Sequence, residues 1–447
     1  MVSNPGERLI PTGEVPVPII LQMEIIKIKP AGKISGIVSV PGDKSISHRI
    51  AIIGSLADGV INVSGFLCSA DCLATLTAVQ ALGVEVEGAG TPELKIHGVG
   101  LRGLKKPAGV LNLGNSGTGL RLLTGLVSGC PFDTELTGDE SLRKRPMMRI
   151  IKPLTRMGTV ISGIHCPLKI QGGHLRGIDY MSPVASAQVK SCVLIAGILA
   201  EKKTRLTEPV KSRDHTERLL SYLGADIKVD GLTVIVTGGV RLQARPVTVP
   251  GDISSAVFIL AAPFMVPEGE VTVRGVGFNP TRTGIIGILT RMGADIKISP
   301  KDLSLGEPVV SIQARKSALK GIDITAGEIP GLIDELPLIA VLATQAKGTT
   351  IVSGAEELRV KESDRIRNMA INLNKMGAAI EEKRDGWIIE GGRPLKGAVV
   401  SGFGDHRIAM AMVIAGLGAS GATVIEGTEW INTSFPGFMD VIDKIRL

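Results

Sequence analysis

The feature that most constrains the fold is a sixfold repeat along the chain. A short strand-like phrase that ends at glycine or proline follows each apolar helical stretch, and it returns at intervals of roughly seventy residues. The six copies lie at residues 60–65, 134–138, 204–209, 270–275, 349–354 and 422–427. Alternation of short strands and helices is typical of an α/β unit, so the chain is predicted to hold six copies of one such unit.

A second phrase repeats beside the first. It is a helix end followed by glycine and a new strand, and it recurs at Gly83, Gly158, Gly224, Gly293 and Gly377. Glycine at this place is typical of the left-handed residue that ends a helix. Each unit is therefore predicted to run turn, apolar helix, strand, amphipathic helix, glycine, strand.

Six units suggest two domains of three units each, because 447 residues exceed what one core usually holds. The natural boundary is the stretch Pro-Val-Thr-Val-Pro-Gly at 246–251. A solenoid of six stacked repeats is the alternative, and it is disfavoured because the units open with different charged phrases. We expect two lobes with a cleft between them.

The net charge of +7 favours an anionic partner, whether nucleic acid, membrane surface or small molecule. Nucleic-acid binding usually requires a dense basic stripe or aromatic stacking platforms, and neither is present in a chain with 3% aromatic residues. No run of about twenty apolar residues exists that would span a membrane. A small anionic molecule is the favoured partner.

The chain has five cysteines, at positions 68, 72, 130, 166 and 192. Cys68 and Cys72 are one helical turn apart, which leaves a metal site open, but buried thiols in a reducing cytosol are favoured. The six histidines include no pair at ligand spacing on a helix, so no metal is expected. Charges and prolines before Met23 argue against a signal peptide, and this segment is interpreted as a loose extension with Met23 as a candidate start.

The first charged phrase spans 41–49 (Pro-Gly-Asp-Lys-Ser-Ile-Ser-His-Arg) and precedes an apolar helix. A glycine turn, hydroxyls and free helix N–H groups form an anion site, to which Lys44 and Arg49 add charge. The phrase is not a P-loop, because Asp43 stands where that motif requires glycine. A capped helix with solvated basic ends explains this phrase equally well.

The second phrase, at 114–121 (Gly-Asn-Ser-Gly-Thr-Gly-Leu-Arg), has three glycines that let the backbone approach a ligand closely. It lacks the spacing of a dinucleotide-binding loop. The basic cluster Arg-Lys-Arg-Pro at 143–146 follows it. Taken alone, that cluster is better explained as a solvated surface turn.

Further charged phrases open the later units, at 186–188, 211–215, 334–335, 359–367 and 404–407. Asp214 has a simpler role as a helix N-cap. The residues after 365 have helical spacing, so the charges of 359–367 concentrate at a helix entrance. Together these helix entrances present Lys, Arg and hydroxyl groups, with carboxylates at Asp334 and Glu362. Such a set suits a small molecule with several phosphate or carboxylate groups, and acid–base chemistry on it.

Four phrases in order, at 43–49, 114–121, 359–365 and 404–407, resemble the enolpyruvyl transferase family, in its branch of 5-enolpyruvylshikimate-3-phosphate synthases. The resemblance covers nearly the whole chain after Met23. It implies an α/β fold of two inverse-α/β lobes, each of three βαβαββ repeats, joined by a double-crossover hinge. The implied domains are an extension at 1–23, lobe one at 43–247, and lobe two at 24–42 plus 248–447.

The resemblance also implies a reaction. The enolpyruvyl group of phosphoenolpyruvate would pass to the 5-hydroxyl of shikimate 3-phosphate, with release of phosphate, on the pathway to chorismate and the aromatic amino acids. It implies no cofactor, a cytoplasmic monomer and inhibition by glyphosate. Asp334 would be the base on the 5-hydroxyl, and Glu362, with Lys44, would protonate the methylene carbon of phosphoenolpyruvate.

Binding roles are implied at positions within the charged phrases. Shikimate 3-phosphate would be held by Lys44, Ser45, Arg49, Ser186, Ala187, Gln188, Arg213, Asp334 and Lys361. Phosphoenolpyruvate would be held by Lys44, Asn115, Gly117, Arg121, Arg145, Gln188, Arg365 and Arg407. Two positions depart from the better-known branch, because Ala187 replaces a serine and Thr433 replaces a phosphate-facing lysine. With the phrase at 211–217, these departures resemble the second, more divergent class of synthases.

Two rival functions stay open at this point. A UDP-N-acetylglucosamine enolpyruvyl transferase has the same fold but would be expected to use a loop cysteine, and Cys130 beside Pro131 lacks the matching phrase. A non-catalytic nucleic-acid-binding protein would account for the positive charge alone, and its binding would depend steeply on salt.

Overall fold

The computed structural model describes residues 24–299 and 302–447, so the extension predicted at 1–23, with its candidate start at Met23, lies outside the described residues. The helices of the described part are α1 (Lys44–Gly54), α2 (Ala70–Ala81), α3 (Gly117–Ser128), α4 (Glu140–Lys144), α5 (Met148–Met157), α6 (Ala187–Leu199), α7 (His215–Tyr222), α8 (Ile253–Met265), α9 (Gly284–Arg291), α10 (Leu336–Gln345), α11 (Arg365–Lys375), α12 (His406–Leu417) and α13 (Phe438–Ile445). Within these ranges no helix is both long and apolar enough to cross a membrane.

The strands are short and follow the helices in alternation. They are β1 (Ile25–Ile28), β2 (Lys33–Ser39), β3 (Ala57–Ser64), β4 (Glu85–Glu87), β5 (Leu94–Val99), β6 (Leu111–Asn112), β7 (Asp133–Thr137), β8 (Val160–Ser162), β9 (Leu168–Gln171), β10 (Asp179–Met181), β11 (Lys203–Thr207), β12 (Ile227–Asp230), β13 (Thr233–Thr237), β14 (Leu242–Gln243), β15 (Val247–Thr248), β16 (Glu268–Gly277), β17 (Asp295–Ile298), β18 (Asp302–Ser304), β19 (Glu307–Arg315), β20 (Asp323–Ile324), β21 (Thr349–Val352), β22 (Ala379–Lys383), β23 (Gly386–Glu390), β24 (Val399–Ser401) and β25 (Thr423–Glu426).

The sixfold repeat is confirmed. Its strand phrases form β3, β7, β11, β16, β21 and β25, one in each unit. The five glycines predicted to end helices, at positions 83, 158, 224, 293 and 377, all have φ between +84° and +112°. Side chains with a Cβ rarely adopt this backbone conformation, which explains why glycine recurs there.

Each unit builds its own small sheet. The strand orders are β14-β3-β5-β4 with β15 also on β3, β6-β7-β9-β8, β10-β11-β13-β12, β2-β16-β19-β17 with β18 on β19, β20-β21-β23-β22, and β1-β25-β24. In units two, three and five the first strand is parallel to the second, and the other pairs are antiparallel. These units therefore have the βαβαββ form.

Units one, four and six obtain a strand from a distant part of the chain. The parallel partners of β3 are β14 and β15, and the parallel partner of β16 is β2. In unit six, β1 pairs antiparallel with β25, so this sheet has three strands within the described residues. The buried helices form two hydrophobic clusters, one from units one to three and one from units four to six. The molecule is therefore an α/β protein of two lobes.

The chain passes between the lobes twice, after β2 and after β15. The two passages are hydrogen-bonded to each other: the backbone N–H of Asp43 donates to the carbonyl of Pro250 at 2.8 Å, and that of Asp252 donates to the carbonyl of Pro41 at 3.0 Å. Helix α1 of lobe one and helix α8 of lobe two begin directly after these contacts. Their N-termini therefore lie side by side at the hinge.

Candidate active site

The charged phrases meet where the two lobes face each other. Among the ion pairs that cross the boundary are Arg213 with Asp334, Arg145 with Glu362 at 3.5 Å, and Arg149 with Glu357 at 2.8 Å. In each of these three pairs the arginine belongs to lobe one and the carboxylate to lobe two. The helix N-termini of both lobes thus converge on one charged centre.

Lys44 is held at the mouth of α1 from both lobes. Asp43 caps this helix by accepting a hydrogen bond from the backbone N–H of Ile46 at 2.9 Å. The ammonium of Lys44 forms an ion pair with Asp71 in the first turn of α2, and its backbone N–H donates to Oδ2 of Asp252 in lobe two at 3.1 Å. Sequence reasoning missed Asp71, because a lone acid after a serine cap looks like an ordinary helix start.

Arg49 lies one turn further along α1 and is 2% exposed. Its guanidinium donates to the hydroxyls of Thr216 and Ser191, both at 2.7 Å, and to the carbonyl of Ser45 at 2.8 Å. Burial lowers the pKa of Arg49 to about 10. Among the described residues its hydrogen-bond partners are neutral, so the buried positive charge favours an anionic ligand.

The glycine-rich phrase brings Gly117 against two guanidinium groups. Gly117 is the first residue of α3 and has helical backbone. A Cβ built on Gly117 lies 3.0 Å from Nη1 of Arg145 and 3.2 Å from Nη1 of Arg121. Arg145 also donates to Oδ1 of Asn115 at 2.7 Å, and Arg121 donates to Oε1 of Gln188. Burial and the neighbouring Arg145 lower the pKa of Arg121 to about 10.

The start of α6 adds the remaining lobe-one groups. Ser186 is its N-cap, Ala187 is its first residue, and Nε2 of Gln188 donates to the hydroxyl of Thr118 at 2.9 Å. Gln188 therefore connects α6 to the glycine-rich start of α3. Lys361 lies in lobe two, near Asp334. Burial lowers the pKa of Lys361, while the attraction of Asp334 opposes the decrease.

Asp334 is the first of two carboxylates at the centre. It accepts hydrogen bonds from Arg213 and, at 3.5 Å, from Nη1 of Arg365. Burial alone would raise its pKa, but the surrounding cations Arg213, Arg407, Lys361 and Arg365 hold the pKa of Asp334 well below its ordinary value. The group is ionised at neutral pH.

Glu362 is the second carboxylate. Its Oε2 accepts from Nη2 of Arg365 at 2.7 Å and its Oε1 from Nη1 of Arg145 at 3.5 Å. Burial would raise its pKa too, but Arg365 and Arg145 are the strongest of several cationic groups that hold the pKa of Glu362 well below its ordinary value. Glu362 is therefore also ionised in this state of the protein.

Arg365 is the first residue of α11, and Arg407 is the second residue of α12. Arg365 is 1% exposed and binds Asp405 through Nε at 2.7 Å and Nη2 at 3.2 Å. Arg407 donates from Nη1 to the carbonyl of Ser254 at 3.3 Å. Within the described part of the chain, the Nε groups of Arg407 and Arg145 are buried without a hydrogen-bond partner. Such donors suit phosphate or carboxylate oxygens.

The predicted site residues stand mostly at helix starts near this boundary, but the capping role expected of Asp214 is met only by its position. Asp214 does stand at the N-cap position of α7, yet its side chain makes no capping hydrogen bond. Its Oδ1 instead accepts from Nε of Arg218 at 2.9 Å and Nδ2 of Asn279 at 2.6 Å. The carboxylate of Asp214 therefore hydrogen-bonds Arg218 and Asn279 in place of the free N–H groups at the start of α7.

Thr433 lies beside the lobe-two helix that carries Arg407. It ends a short 3-10 helix (Glu429–Thr433), and its hydroxyl donates to the carbonyl of Trp430 at 2.7 Å and lies 3.4 Å from Nδ1 of His406. Burial lowers the pKa of His406 well below its ordinary value, and the cations Lys44 and Arg407 add to the decrease. A neutral imidazole and a hydroxyl therefore stand side by side beside Arg407.

Burial raises the pKa of all five cysteine thiols, including that of Cys72, which donates to the carbonyl oxygen of Lys44 at 3.7 Å. All five are free, and Cys130 is buried just after the end of α3, where burial raises the pKa of its thiol to about 12. A thiol with that pKa is a poor nucleophile at neutral pH. Among the described residues, the side chains close enough to share a metal ion are Glu85, Glu87 and His97, on a sheet edge of lobe one. Neither Cys68 nor Cys72 belongs to that group.

Two surface clefts, with volumes of about 390 and 560 Å³, lie elsewhere. The first is lined by residues of β3, β5 and β15, and the second by residues of β2, β16 and β19. Neither is lined by the charged residues of the centre between the lobes. These two clefts are therefore separate from the charged centre between the lobes.

Comparison with known proteins agrees with this arrangement. A family model described as EPSP synthase (3-phosphoshikimate 1-carboxyvinyltransferase) matches residues 28–442. Proteins named 3-phosphoshikimate 1-carboxyvinyltransferase from Desulforamulus reducens and Geobacter sulfurreducens are 51% and 52% identical to the chain. The two alignments cover 95% and 94% of this chain, and 99% and 98% of those proteins.

The fold agrees as well. A solved structure of EPSP synthase from Acinetobacter baumannii matches with a TM-score of 0.85 and 45% sequence identity, over 95% of this chain and 99% of that one. Sequence and structure match along nearly the whole length, and the resemblance inferred from the four charged phrases is confirmed. The chain belongs to the EPSP synthase family.

Proposed function

We propose that this chain transfers the enolpyruvyl group of phosphoenolpyruvate to the 5-hydroxyl of shikimate 3-phosphate and releases inorganic phosphate. The observation that carries the proposal is the pair of ionised carboxylates, Asp334 and Glu362, set among buried cations from both lobes. Two anionic substrates that react with each other need many cations for binding and a few acid–base groups for proton transfer. The centre between the lobes supplies both.

Shikimate 3-phosphate is assigned to the lobe-one side. Arg49 is a buried cation with neutral hydrogen-bond partners, so it suits the phosphate group. Ser45, Lys44 and the start of α6 at 186–188 surround it with a hydroxyl, an ammonium and helix N–H groups. Arg213 and Lys361 complete this assignment beside Asp334, which then faces the 5-hydroxyl.

Phosphoenolpyruvate is assigned to the cations around Gly117. Arg145 and Arg407 each have a buried Nε–H that has no hydrogen-bond partner among the described residues. Each of these groups can therefore donate to an oxygen of the substrate. The other groups assigned to this substrate are Lys44, Asn115, Arg121, Gln188 and Arg365. This division places the reacting carbon between Asp334 and Glu362, which both contact Arg365.

The pKa directions indicate how the acid–base roles arise. Asp334 is ionised and can accept the proton of the 5-hydroxyl as its oxygen attacks C2 of phosphoenolpyruvate. Glu362 is ionised before substrate binds, so it must first gain a proton to act as an acid. Substrate phosphate and carboxylate groups would compete for Arg145 and Arg365, which weakens their hold on Glu362 and raises its pKa.

The reaction then proceeds by addition and elimination. The 5-oxygen bonds to C2, C3 gains a proton from Glu362, with Lys44 as its partner, and a tetrahedral intermediate forms. The Glu362 carboxylate then takes a proton back from C3, which expels phosphate and restores the double bond as an enol ether. The buried cations stabilise the phosphate and carboxylate charges throughout. No cofactor takes part in this sequence.

We also propose the domain limits and the state of the protein. Lobe one is assigned to 43–247 and lobe two to 24–42 plus 248–447, supported by the two separate hydrophobic clusters and by the pairing of β2 with β16. The enzyme is assigned as a cytoplasmic monomer. The monomer is supported by the site itself. Both lobes of one chain contribute to it, so a second copy of the chain is not needed to complete the site.

Phosphate release tests the proposal. Purified protein should release inorganic phosphate from phosphoenolpyruvate only when shikimate 3-phosphate is present. UDP-N-acetylglucosamine is the acceptor that the rival transferase would use, and it should give no release, in line with the raised pKa of Cys130. Release with the nucleotide sugar, or release without any acceptor, would contradict the assignment.

Gly117→Ala is expected to make the enzyme tolerant to glyphosate. Glyphosate should inhibit the wild type competitively against phosphoenolpyruvate. Gly117 has no side chain, so space for the inhibitor remains beside Arg121 and Arg145. The added methyl would lie 3.0–3.2 Å from their Nη1 atoms. Glyphosate is the longer molecule, so its inhibition constant should rise more than KM for phosphoenolpyruvate, by about 1–3 kcal/mol of discrimination. Steady-state inhibition measures both constants.

Gly287→Ala is the matched control. Gly287 is an exposed residue of α9 with open space where a Cβ would stand. This variant should leave both constants unchanged. Full wild-type activity at millimolar glyphosate would show that another position, with Thr433 as the first suspect, sets tolerance. Misfolding of Gly117→Ala is not expected, since its backbone is already helical.

A further inference from the structure

We propose that Arg282 is a positioning residue that fixes the two lobes against each other at the hinge, so that the groups of both lobes face one reaction centre. The inference rests on the proposed function, because it assigns a role in that reaction. Arg282 lies in the turn before α9, belongs to none of the charged phrases and is 3% exposed. It contacts no residue assigned to catalysis, so its influence is indirect.

The guanidinium of Arg282 joins the two passages of the chain between the lobes. Its Nη1 donates to Oδ2 of Asp43 at 2.8 Å, and its Nη2 donates to Oδ1 of Asp252 at 2.9 Å. Asp43 is the N-cap of α1 and Asp252 is the N-cap of α8. One rigid, planar group therefore ties the mouth of a lobe-one helix to the mouth of a lobe-two helix.

The network continues to the reaction centre on both sides. In lobe one, the backbone N–H of Lys44 donates to Oδ2 of Asp252 at 3.1 Å. In lobe two, the hydroxyl of Ser254 accepts from the same guanidinium and donates to Glu335, the neighbour of the proposed base. The carbonyl of Ser254 accepts from Nη1 of Arg407 at 3.3 Å. The position of one guanidinium thus influences groups assigned to both substrates.

Positive charge alone does not perform this role. Burial would raise the pKa of Asp43, and Arg282 is the strongest influence that opposes the increase. A lysine would keep that charge, but a single ammonium lacks the fork that reaches two carboxylates in fixed directions. Arg282→Lys therefore separates the geometry of the hinge from its charge.

Other buried contacts hold the hinge when Arg282 changes. Nδ1 of His215 in lobe one lies 2.7 Å from Oε1 of Glu307 in lobe two. Nδ2 of Asn279 donates both to Asp214 at 2.6 Å and to Glu307 at 2.7 Å. These contacts also cross between the lobes, so the Arg282→Lys variant is expected to fold.

The test compares substrate binding with turnover in Arg282→Lys. Calorimetric titration with shikimate 3-phosphate should give a Kd within about threefold of the wild type, because most of its assigned groups lie within lobe one. Turnover at saturation should fall about tenfold to a hundredfold, because reacting groups from the two lobes are misplaced. A merely structural residue would lower Tm without changing kcat of the folded protein.

Arg315→Lys is the control, since Arg315 binds Glu270 through Nε at 3.0 Å and Nη2 at 3.4 Å within lobe two. It should leave kcat and Kd unchanged.

If Arg282→Lys fails to fold, the Asp43→Asn variant is used for the same test. Asparagine also caps helices well, but it removes the negative charge that Asp43 presents to Arg282. It should lower kcat severalfold at unchanged Kd. An Arg282→Lys enzyme with wild-type kcat, or with Kd and kcat impaired equally, would overturn the inference. An inactive wild type would instead refute the proposed function.

Discussion

Asp334→Asn is expected to lower kcat by on the order of a hundredfold or more, while the Kd for shikimate 3-phosphate changes little. Asparagine keeps the size of the side chain and an oxygen that can accept from Arg213, but it cannot take the proton of the 5-hydroxyl. The depressed pKa of Asp334 keeps the wild-type group ionised, so every enzyme molecule holds the base in its active form at neutral pH. Steady-state kinetics with a parallel binding titration measures both quantities.

The competing explanation is that Asp334 only balances neighbouring cations. In that case the variant would bind shikimate 3-phosphate poorly or unfold, while turnover at saturation would stay near normal. Asp295→Asn, at the exposed first residue of β17, is the control for the same chemical change. It should leave kcat, Kd and Tm unaltered.

Glu362→Gln is expected to lower kcat by a similar factor, on the order of a hundredfold or more, because glutamine cannot donate a proton to C3 of phosphoenolpyruvate. Proton transfer can be followed separately from turnover. In D2O the methylene group gains deuterium only if C3 is protonated and then deprotonated, so the variant should lose this exchange in proportion to kcat. Mass spectrometry of the recovered enolpyruvyl groups measures the exchange.

Glu357→Gln is the matched control for this variant. Glu357 also accepts from an arginine of the opposite lobe, with Arg149 at 2.8 and 3.1 Å, but the pair is partly exposed. Loss of such a pair should change kcat by less than about threefold. Equal losses in Glu357→Gln and Glu362→Gln would mean that lobe contact, rather than proton transfer, explains the effect. Deuterium exchange that persists in Glu362→Gln would assign the acid to Lys44 instead.

The strands and helix ends could be predicted because each repeat carries local signals. A glycine that ends a helix can be recognised from the local sequence, without knowing which element packs against that helix. The positive φ values of Gly83 and Gly377 agree with this. Strand exchange between units could not be predicted in the same way. Strand β14 has two residues, and its partner β3 lies nearly two hundred residues earlier. Such long-range pairing leaves no periodic pattern in the sequence.

The residues of the site also fall into those that the sequence predicts and those that it does not. Lys44, Arg121 and Arg407 stand in charged phrases at helix starts, so their type and position suggested anion binding. Asp71 and Arg282 occur alone in ordinary sequence, and their roles depend on partners that approach only in the folded chain. Residues that act through other residues are therefore the ones that sequence reasoning missed.

The structure of the product is the most direct test of the proposed reaction. Purified protein, phosphoenolpyruvate labelled with ¹³C at its enolpyruvyl carbons and shikimate 3-phosphate are followed together by ³¹P and ¹³C NMR. We predict that the phosphoenolpyruvate signal is replaced one for one by inorganic phosphate, and that the labelled enol ether is joined to the 5-oxygen of shikimate 3-phosphate. A label attached to another oxygen, phosphate formed with free pyruvate, or unchanged spectra with folded protein would contradict the account.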